Sequence, residues 1–144
     1  MSRLGTYAKP SGINIVVENH GNESSDGAWV ADIMRQVNME NVGTLPDFGN
    51  FCLNHPWGTT DEGCTQTYDR YKGVKEMLPF AKGVSAKTYD FDSNGEQPMM
   101  DYKRLMEIVK ASGFEGYIGI EFEGKTQSED DGIRNTKKLI ERYL

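Results

Sequence analysis

Four short apolar runs recur along this chain, and each ends on a charged or hydrogen-bonding residue just where a loop begins. The first is Ile13-Asn14-Ile15-Val16-Val17-Glu18, and the second is Val42-Gly43-Thr44-Leu45, which leads through Pro46 to Asp47. The third, beginning at Lys82-Gly83, is Val84-Ser85-Ala86-Lys87, and the fourth is Tyr117-Ile118-Gly119-Ile120-Glu121. Short β-branched runs without strict alternation are the pattern of strands buried in a parallel sheet. Strands that deliver one polar side chain each to their C-terminal ends are how α/β proteins assemble a site.

The intervening segments have helical period. Trp29, Ile33 and Val37 recur at every fourth position over residues 28–37, with Val30 and Met34 beside them, so this stripe is expected to pack on the sheet. Tyr71, Val74 and Leu78 do the same over 68–78, and Pro79 closes that segment. Over 99–111 the inward set is Tyr102, Leu105, Met106 and Val109, with Gly113 placed to end the helix. Ser128-Glu129-Asp130-Asp131 is a capping pattern that opens a last helix carrying Ile133, Leu139, Ile140, Tyr143 and Leu144. Residues 1–9, with Leu4, Tyr7 and Ala8 in helical spacing, read as the tail of a helix and so as an entry partway through a fold. Alternating strands and helices imply a parallel sheet with right-handed crossovers. Four such units are half of what a closed barrel needs.

Composition narrows the function. The 144 residues suffice for a single domain over 1–144, and 37% hydrophobic with 26% charged residues describes a soluble globular chain. A net charge of −6 argues against a nucleic-acid partner, and no apolar run is long enough to suggest a membrane span. A cytoplasmic setting is favoured, with a periplasmic one open. Cys52 and Cys64 lie in the long irregular stretch Asn50–Gln66 at a spacing that matches no zinc motif. They are either two free thiols or a local disulfide. In the same loop, Phe51 and Trp57 either cover a pocket or anchor the loop. The acidic run Asp90–Gly95 lacks the spacing and the closing Glu of a calcium loop.

At Val17-Glu18-Asn19-His20-Gly21, Gly43 through Asn50, Val84-Ser85-Ala86-Lys87 and Gly119-Ile120-Glu121, the chain resembles the xylose-isomerase-like TIM barrels, over essentially its whole length and in the order of their last four βα units. The resemblance implies an α/β fold, a parallel (βα)4 half of a TIM barrel completed by another half. It also implies one divalent cation (Mn, Mg, Co or Zn) held by Glu, Asp, His and Glu from successive strands. Carried over position by position, Glu18, Asp47 and Glu121 fall on the two outer glutamates and the aspartate, while Ser85 stands where the family has its histidine. Serine is a weaker, neutral donor, and Lys87, two residues on, brings a positive charge to the same side or pairs with Asp47 or Glu121. His20, Asn50, Ser85 and Lys87 are the expected substrate contacts.

The residues fit that chemistry in their own right. Moving hydrogen between adjacent carbons of a hydroxy-carbonyl compound needs a base, an acid and a place for enediolate charge, and two carboxylates such as Glu18 and Glu121 can exchange the first two roles. Three inward acids also call for a cation to offset their repulsion. The expected activity is therefore a metal-dependent sugar or sugar phosphate isomerase or epimerase. The alternatives are a dehydratase of a keto-inositol-like polyol, or a catalytically impaired fragment or binding module of the same fold. Endonuclease chemistry would need more histidines than His20 and His55. A four-stranded sheet leaves two unpaired edges, so the chain is expected to work with an N-terminal half-barrel from a longer protein, or as a homodimer.

Overall fold

A computed structural model describes residues 1–55, 57–60 and 63–144 of the chain. Helix α1 (Ser2–Ala8) runs through a 3-10 turn (Lys9–Ser11) into strand β1 (Ile15–Glu18). Helix α2 (Gly27–Val37), strand β2 (Val42–Leu45), helix α3 (Arg70–Met77), strand β3 (Gly83–Thr88), helix α4 (Tyr102–Ala111), strand β4 (Tyr117–Phe122) and helix α5 (Glu129–Tyr143) follow. This is a run of four βα units. Strands β1 and β2 pair in parallel, as do β3 and β4. Single parallel bridges, Thr44 to Ala81 and Asp47 to Ser85, join the two pairs, so the strand order follows the chain.

Local chemistry explains the helix starts. Asp26, Asp69, Asp101 and Ser128 each accept a hydrogen bond from a first-turn backbone N–H, which satisfies donors the helix itself cannot. The last two helical segments therefore begin at Tyr102 and Glu129, and α3 begins at Arg70. Periodicity alone puts the first and third of these starts at Met99 and Tyr68, but residues 68 and 99–100 form the approach to Asp69 and Asp101, the caps that set the true starts.

The sheet has two unlike faces. Val84 and Ala86 of β3 point to the helices and join Leu105, Met106, Val109 and Leu139 in the main core. Ile15 and Val17 of β1 pack with Val30, Met34, Val42 and Met77 in a second cluster. The alternate residues face what would be the barrel interior, and Val16 there is 41% exposed. Both edges lie open, most visibly at Tyr117, which is 91% exposed. No helix among the described residues is long and apolar enough to cross a membrane.

Two expectations from periodicity are corrected. Trp29 does not belong to the buried stripe of α2 and lies about half exposed; Val30, Ala31 and Met34 carry the contact, with Ile33 and Val37 at its margins. The stripe is rotated because α2 leans on α3 as well as on the sheet. At that crossing a Cβ on Gly27 would sit 2.5 Å from Gly73 Cα, so the two helices meet backbone to backbone. Ile133 and Leu144 of the last helical segment are likewise exposed, while Leu139 and Ile140 are buried.

The alternatives left open for the long loop are resolved. Cys52 and Cys64 form a disulfide with Cα atoms 5.8 Å apart. Phe51 is buried against Gly73 in the core and anchors the loop, whereas Trp57 is exposed.

The contact between Gly27 and Gly73 gives a test. Gly27→Ala places a methyl against backbone that cannot rotate away, and it should lower unfolding free energy by about 1–3 kcal/mol in denaturant titrations, despite alanine's better helix propensity.

Candidate metal and substrate site

The site begins with an asparagine. Asn19, the residue after β1, is fully buried, and its side chain ties the ends of two strands together. Its Nδ2 donates to the carbonyls of Asp47 and Asn50 at 3.0 and 2.9 Å, and its Oδ1 accepts from Asp47 N at 2.7 Å. Ser25 adds a second tie: its hydroxyl donates to the Asn50 carbonyl at 2.9 Å and accepts from Gly21 N at 3.0 Å. The backbone on both sides of Asp47 is thereby fixed before its carboxylate is considered.

That carboxylate is fully buried. Its Oδ1 accepts from Gly49 N and Asn50 N, each at 2.9 Å, the local turn that follows β2. Its Oδ2 has no hydrogen-bond partner among the described residues. A buried carboxylate oxygen left unsatisfied is costly, and it marks a place where a cation or a donor belongs.

Register supplies the rest. Parallel pairing sets Ser85 beside Gly119 and Lys87 beside Glu121. The absent side chain at Gly119 leaves room between β3 and β4, and Ser85 Oγ donates across it to Glu121 Oε2 at 2.9 Å. One oxygen from each of Glu18, Asp47 and Glu121 then falls within 4.8 Å of the others. Metal–oxygen distances of roughly 2.0–2.6 Å require ligands of one ion to lie about that close together, so the donor set suits a hard divalent cation. Glu18, Ser85 and Glu121 line a cavity of about 550 Å³ together with His20, Leu45 and Gly119.

The charges are strongly coupled. Burial pushes the Asp47 carboxyl up to about 7, with Glu121 adding to the rise and Lys87 opposing it. Burial likewise raises Glu18, again with help from Glu121. Glu121 moves the other way: burial would raise it, but the Lys87 ammonium and the Ser85 hydroxyl hold it below the usual carboxylate range. Lys87 is itself buried, which favours loss of its proton, yet Asp47, Glu123 and Glu121 outweigh that and hold its pKa well above the ordinary lysine value. Its Nζ lies 3.2 Å from Glu121 Oε1, 2.9 Å from Glu123 Oε2 and 3.1 Å from Asn50 Oδ1.

The residues singled out from sequence are thus distributed as follows. Glu18, Asp47 and Glu121 converge. Lys87 lies among them and is paired with Glu121 rather than forming an ion pair with Asp47. Ser85 is hydrogen-bonded to Glu121. Asn50 accepts from Lys87, and its buried Nδ2 has no acceptor among the described residues. His20 borders the cavity, and its backbone N donates to Ser24 Oγ at 2.9 Å. Sequence reasoning passed over Asn19 and Ser25. An asparagine directly after a strand-end glutamate was the available signal, since a polar residue there faces the neighbouring strand end.

Comparison with known proteins agrees with the architecture. The sequence profile of the xylose isomerase-like TIM barrel family matches residues 1–143. The inosose dehydratase of Lacticaseibacillus casei is 27% identical over 138 residues, 85% of this chain and 45% of the relative. The C-glycoside deglycosidase alpha subunit of Arthrobacter globiformis is 36% identical over 66 residues, 44% of this chain and 19% of that protein. Among solved structures, the 3-keto-D-glucoside 4-epimerase of E. coli superposes with a TM-score of 0.63 at 15% identity, over 96% of this chain and 49% of the other. The D-psicose 3-epimerase of Clostridium cellulolyticum H10 gives 0.61 at 12% identity, over 99% of this chain and 52% of the other. The chain therefore spans about half the length, or less, of each of these proteins. Its four parallel βα units, its strand-end site and the match over nearly every residue place it in the xylose isomerase-like TIM barrel family, of whose barrel it forms half.

Proposed function

We propose that this chain contributes the metal-binding half of a barrel that isomerises or epimerises a sugar by moving a proton at a carbon next to a carbonyl. The observation that carries the reading is the convergence of Glu18, Asp47 and Glu121 around a buried carboxylate oxygen that lacks a partner. Glu18, Asp47 and Glu121 would hold the divalent cation, with Ser85 as a neutral oxygen in the position where relatives are expected to present a histidine. When bound, such a cation polarises a substrate carbonyl and offsets the charge that develops on its oxygen.

The chain's own residues divide the proton work. Glu121 is kept ionised by Lys87 and Ser85 and is the better base at neutral pH. Burial and Glu121 raise the proton affinity of Glu18 while no cation is bound, and a bound cation would lower it again. Two carboxylates on one pocket can exchange the roles of base and acid, taking a proton from one carbon and returning one to the same or the adjacent carbon. Asn50, whose buried amide donor lacks an acceptor among the described residues, and His20, at the cavity edge, would bind hydroxyl or carbonyl oxygens. Asn19 and Ser25 hold the strand ends and touch none of the reacting atoms.

The names of the relatives support this class. A ketose 3-epimerase and a 3-keto-glucoside 4-epimerase both invert a carbon one bond from a ketone. An inosose dehydratase removes water from a keto-inositol. Its match over 85% of the chain favours elimination as the second reading, because the same base that starts an epimerisation also starts a dehydration. Product analysis separates the two: a stereoisomer of unchanged mass, or a product lighter by one water.

The remaining wall of the barrel has to come from elsewhere. A two-fold pair of this chain would bring a second set of the same three acids into one barrel, whereas a different half-barrel would not. We therefore favour a distinct completing half, on the same polypeptide or on a partner. Sedimentation at micromolar concentration should show the 16.2 kDa chain binding a separately expressed complementary half; self-association without that half, or a stable monomer indifferent to it, would remove this part of the proposal.

Two measurements test the chemistry in the assembled protein. Calorimetric titration with Mn²⁺ should show one site, and Asp47→Asn should weaken it by about 100-fold or more while leaving the circular dichroism unchanged. Absence of any Mn²⁺ binding by the unaltered protein would instead support the impaired binding module. Second, incubating keto-sugars in deuterated water should label the carbon next to the carbonyl. Glu18→Gln and Glu121→Gln should each slow that labelling by roughly 10²–10⁴-fold. Near-normal labelling in both variants would remove the pair from the mechanism.

A further inference from the structure

The described residues of the loop between Cys52 and Cys64 are held at several points. The disulfide closes it, and antiparallel bridges from Asn50 to Thr59 and from Cys52 to Thr67 brace its two limbs. Within it, Cys52 N donates to the Gly58 carbonyl at 2.8 Å and Leu53 N to the Gln66 carbonyl at 2.8 Å. Gly58 adopts a φ of 71° and lies directly on the backbone that follows β1. A Cβ there would be 2.6 Å from Gly21 N and 2.9 Å from both the His20 carbonyl carbon and Asn50 Cβ, so only glycine allows the loop to seat so closely.

What this seating presents is an indole. Trp57 is 66% exposed, yet its neighbour Gly58 is pinned to the site's own frame. Its ring meets His20 edge-on, with centroids 6.0 Å apart and planes at 80°. His20 in turn borders the cavity that Glu18, Ser85 and Glu121 line. His20 thus touches both the cavity and the indole. Indole offers a large, rigid, mostly apolar surface at little cost in conformational entropy, which suits the C–H face of a pyranose or the plane of an aromatic ring.

We propose that Trp57, held beside His20 by the disulfide-closed loop, forms an outer subsite that binds the group attached to the reacting sugar: a second ring or an aromatic aglycone. The protein would thus prefer glycosides that keep a ketone on the reacting ring over the corresponding free keto-sugars. This rests on the reading of the acid cluster as a sugar site.

The test uses the purified, assembled protein carrying Trp29→Phe, so that of the chain's two tryptophans only Trp57 reports. Phenyl 3-keto-β-D-glucopyranoside and 3-keto-D-glucose, both of which carry a ring ketone, are titrated by calorimetry and by indole fluorescence. The expected result is saturable quenching by the phenyl keto-glucoside and binding on the order of fivefold to tenfold tighter than by 3-keto-D-glucose. Trp57→Ala should erase that preference and leave the affinity for 3-keto-D-glucose unchanged, while Trp57→Phe should keep part of it. Cys52→Ser combined with Cys64→Ser, with Trp57 intact, should reduce the preference, because the loop is then no longer closed. Equal binding of the two compounds, unaltered by Trp57→Ala, would overturn the subsite; Mn²⁺ binding that persists in the same sample would show that the acid cluster stands regardless. Failure of both compounds to bind would overturn the subsite together with the sugar-site reading. A change in sedimentation of the Trp57→Ala protein would overturn it too, by showing that the indole is covered on assembly.

Discussion

The site depends on one buried ammonium. Lys87 is almost wholly removed from solvent, and its Nζ lies within 3.2 Å of oxygens from Glu121, Glu123 and Asn50. Burying a lone cation this deeply would be prohibitive, as would gathering carboxylates around Asp47 without one. Each makes the other tolerable. The balance is uneven, because Lys87 is committed to the Glu121 side while Asp47 Oδ2 has no partner among the described residues. That imbalance is local and directional, and it falls on the one carboxyl that burial pushes up to about 7.

The frame around this charge is neutral and rigid. Asn19 and Ser25 use uncharged amide and hydroxyl groups to hold the backbone carbonyls of Asp47 and Asn50, so the position of the acids does not vary with their protonation. The helices contribute in another way. Every capping side chain that starts a helix after a strand is an Asp or a Ser, and these absorb the helix-terminal N–H groups that would otherwise attract an anion to this end of the barrel. Function and fold thus draw on the same end of the sheet without competing for the same donors.

Much of this could be read from residues alone. The runs ending in Glu18 and Glu121, and the stretch through Leu45 to Asp47, have the period and composition of buried parallel strands, and a period of two places the acids on the barrel side. Tyr102, Leu105, Met106 and Val109 were legible for the same reason, since one stripe faces one sheet. Trp29 was not, because α2 has two neighbours and a helical wheel encodes only one direction of burial; the rotation follows from the glycine contact with α3, which is a tertiary fact. Asn19 is less legible: its place directly after a strand-end glutamate marks it as polar at the site's end, but the partner it reaches lies 28 residues on and is set only by the fold. The pairing of Cys52 with Cys64 is also a matter of geometry: spacing alone permits it, and only the folded loop brings the two Cα atoms to 5.8 Å.

The ring that the disulfide closes has a consequence for how this loop tolerates damage and change. Exposed loop tips are where proteases cut and where sequences lengthen. A single cut between Cys52 and Cys64 leaves the polypeptide covalently continuous through sulfur, so the units on either side remain at high effective concentration and the severed protein keeps the connection that holds its halves together. For the same reason, residues added within the ring change only the circumference of a closed circuit, whose entropic cost grows slowly with length. The loop is thus a segment that can be nicked or re-lengthened while its two bases stay where the sheet needs them.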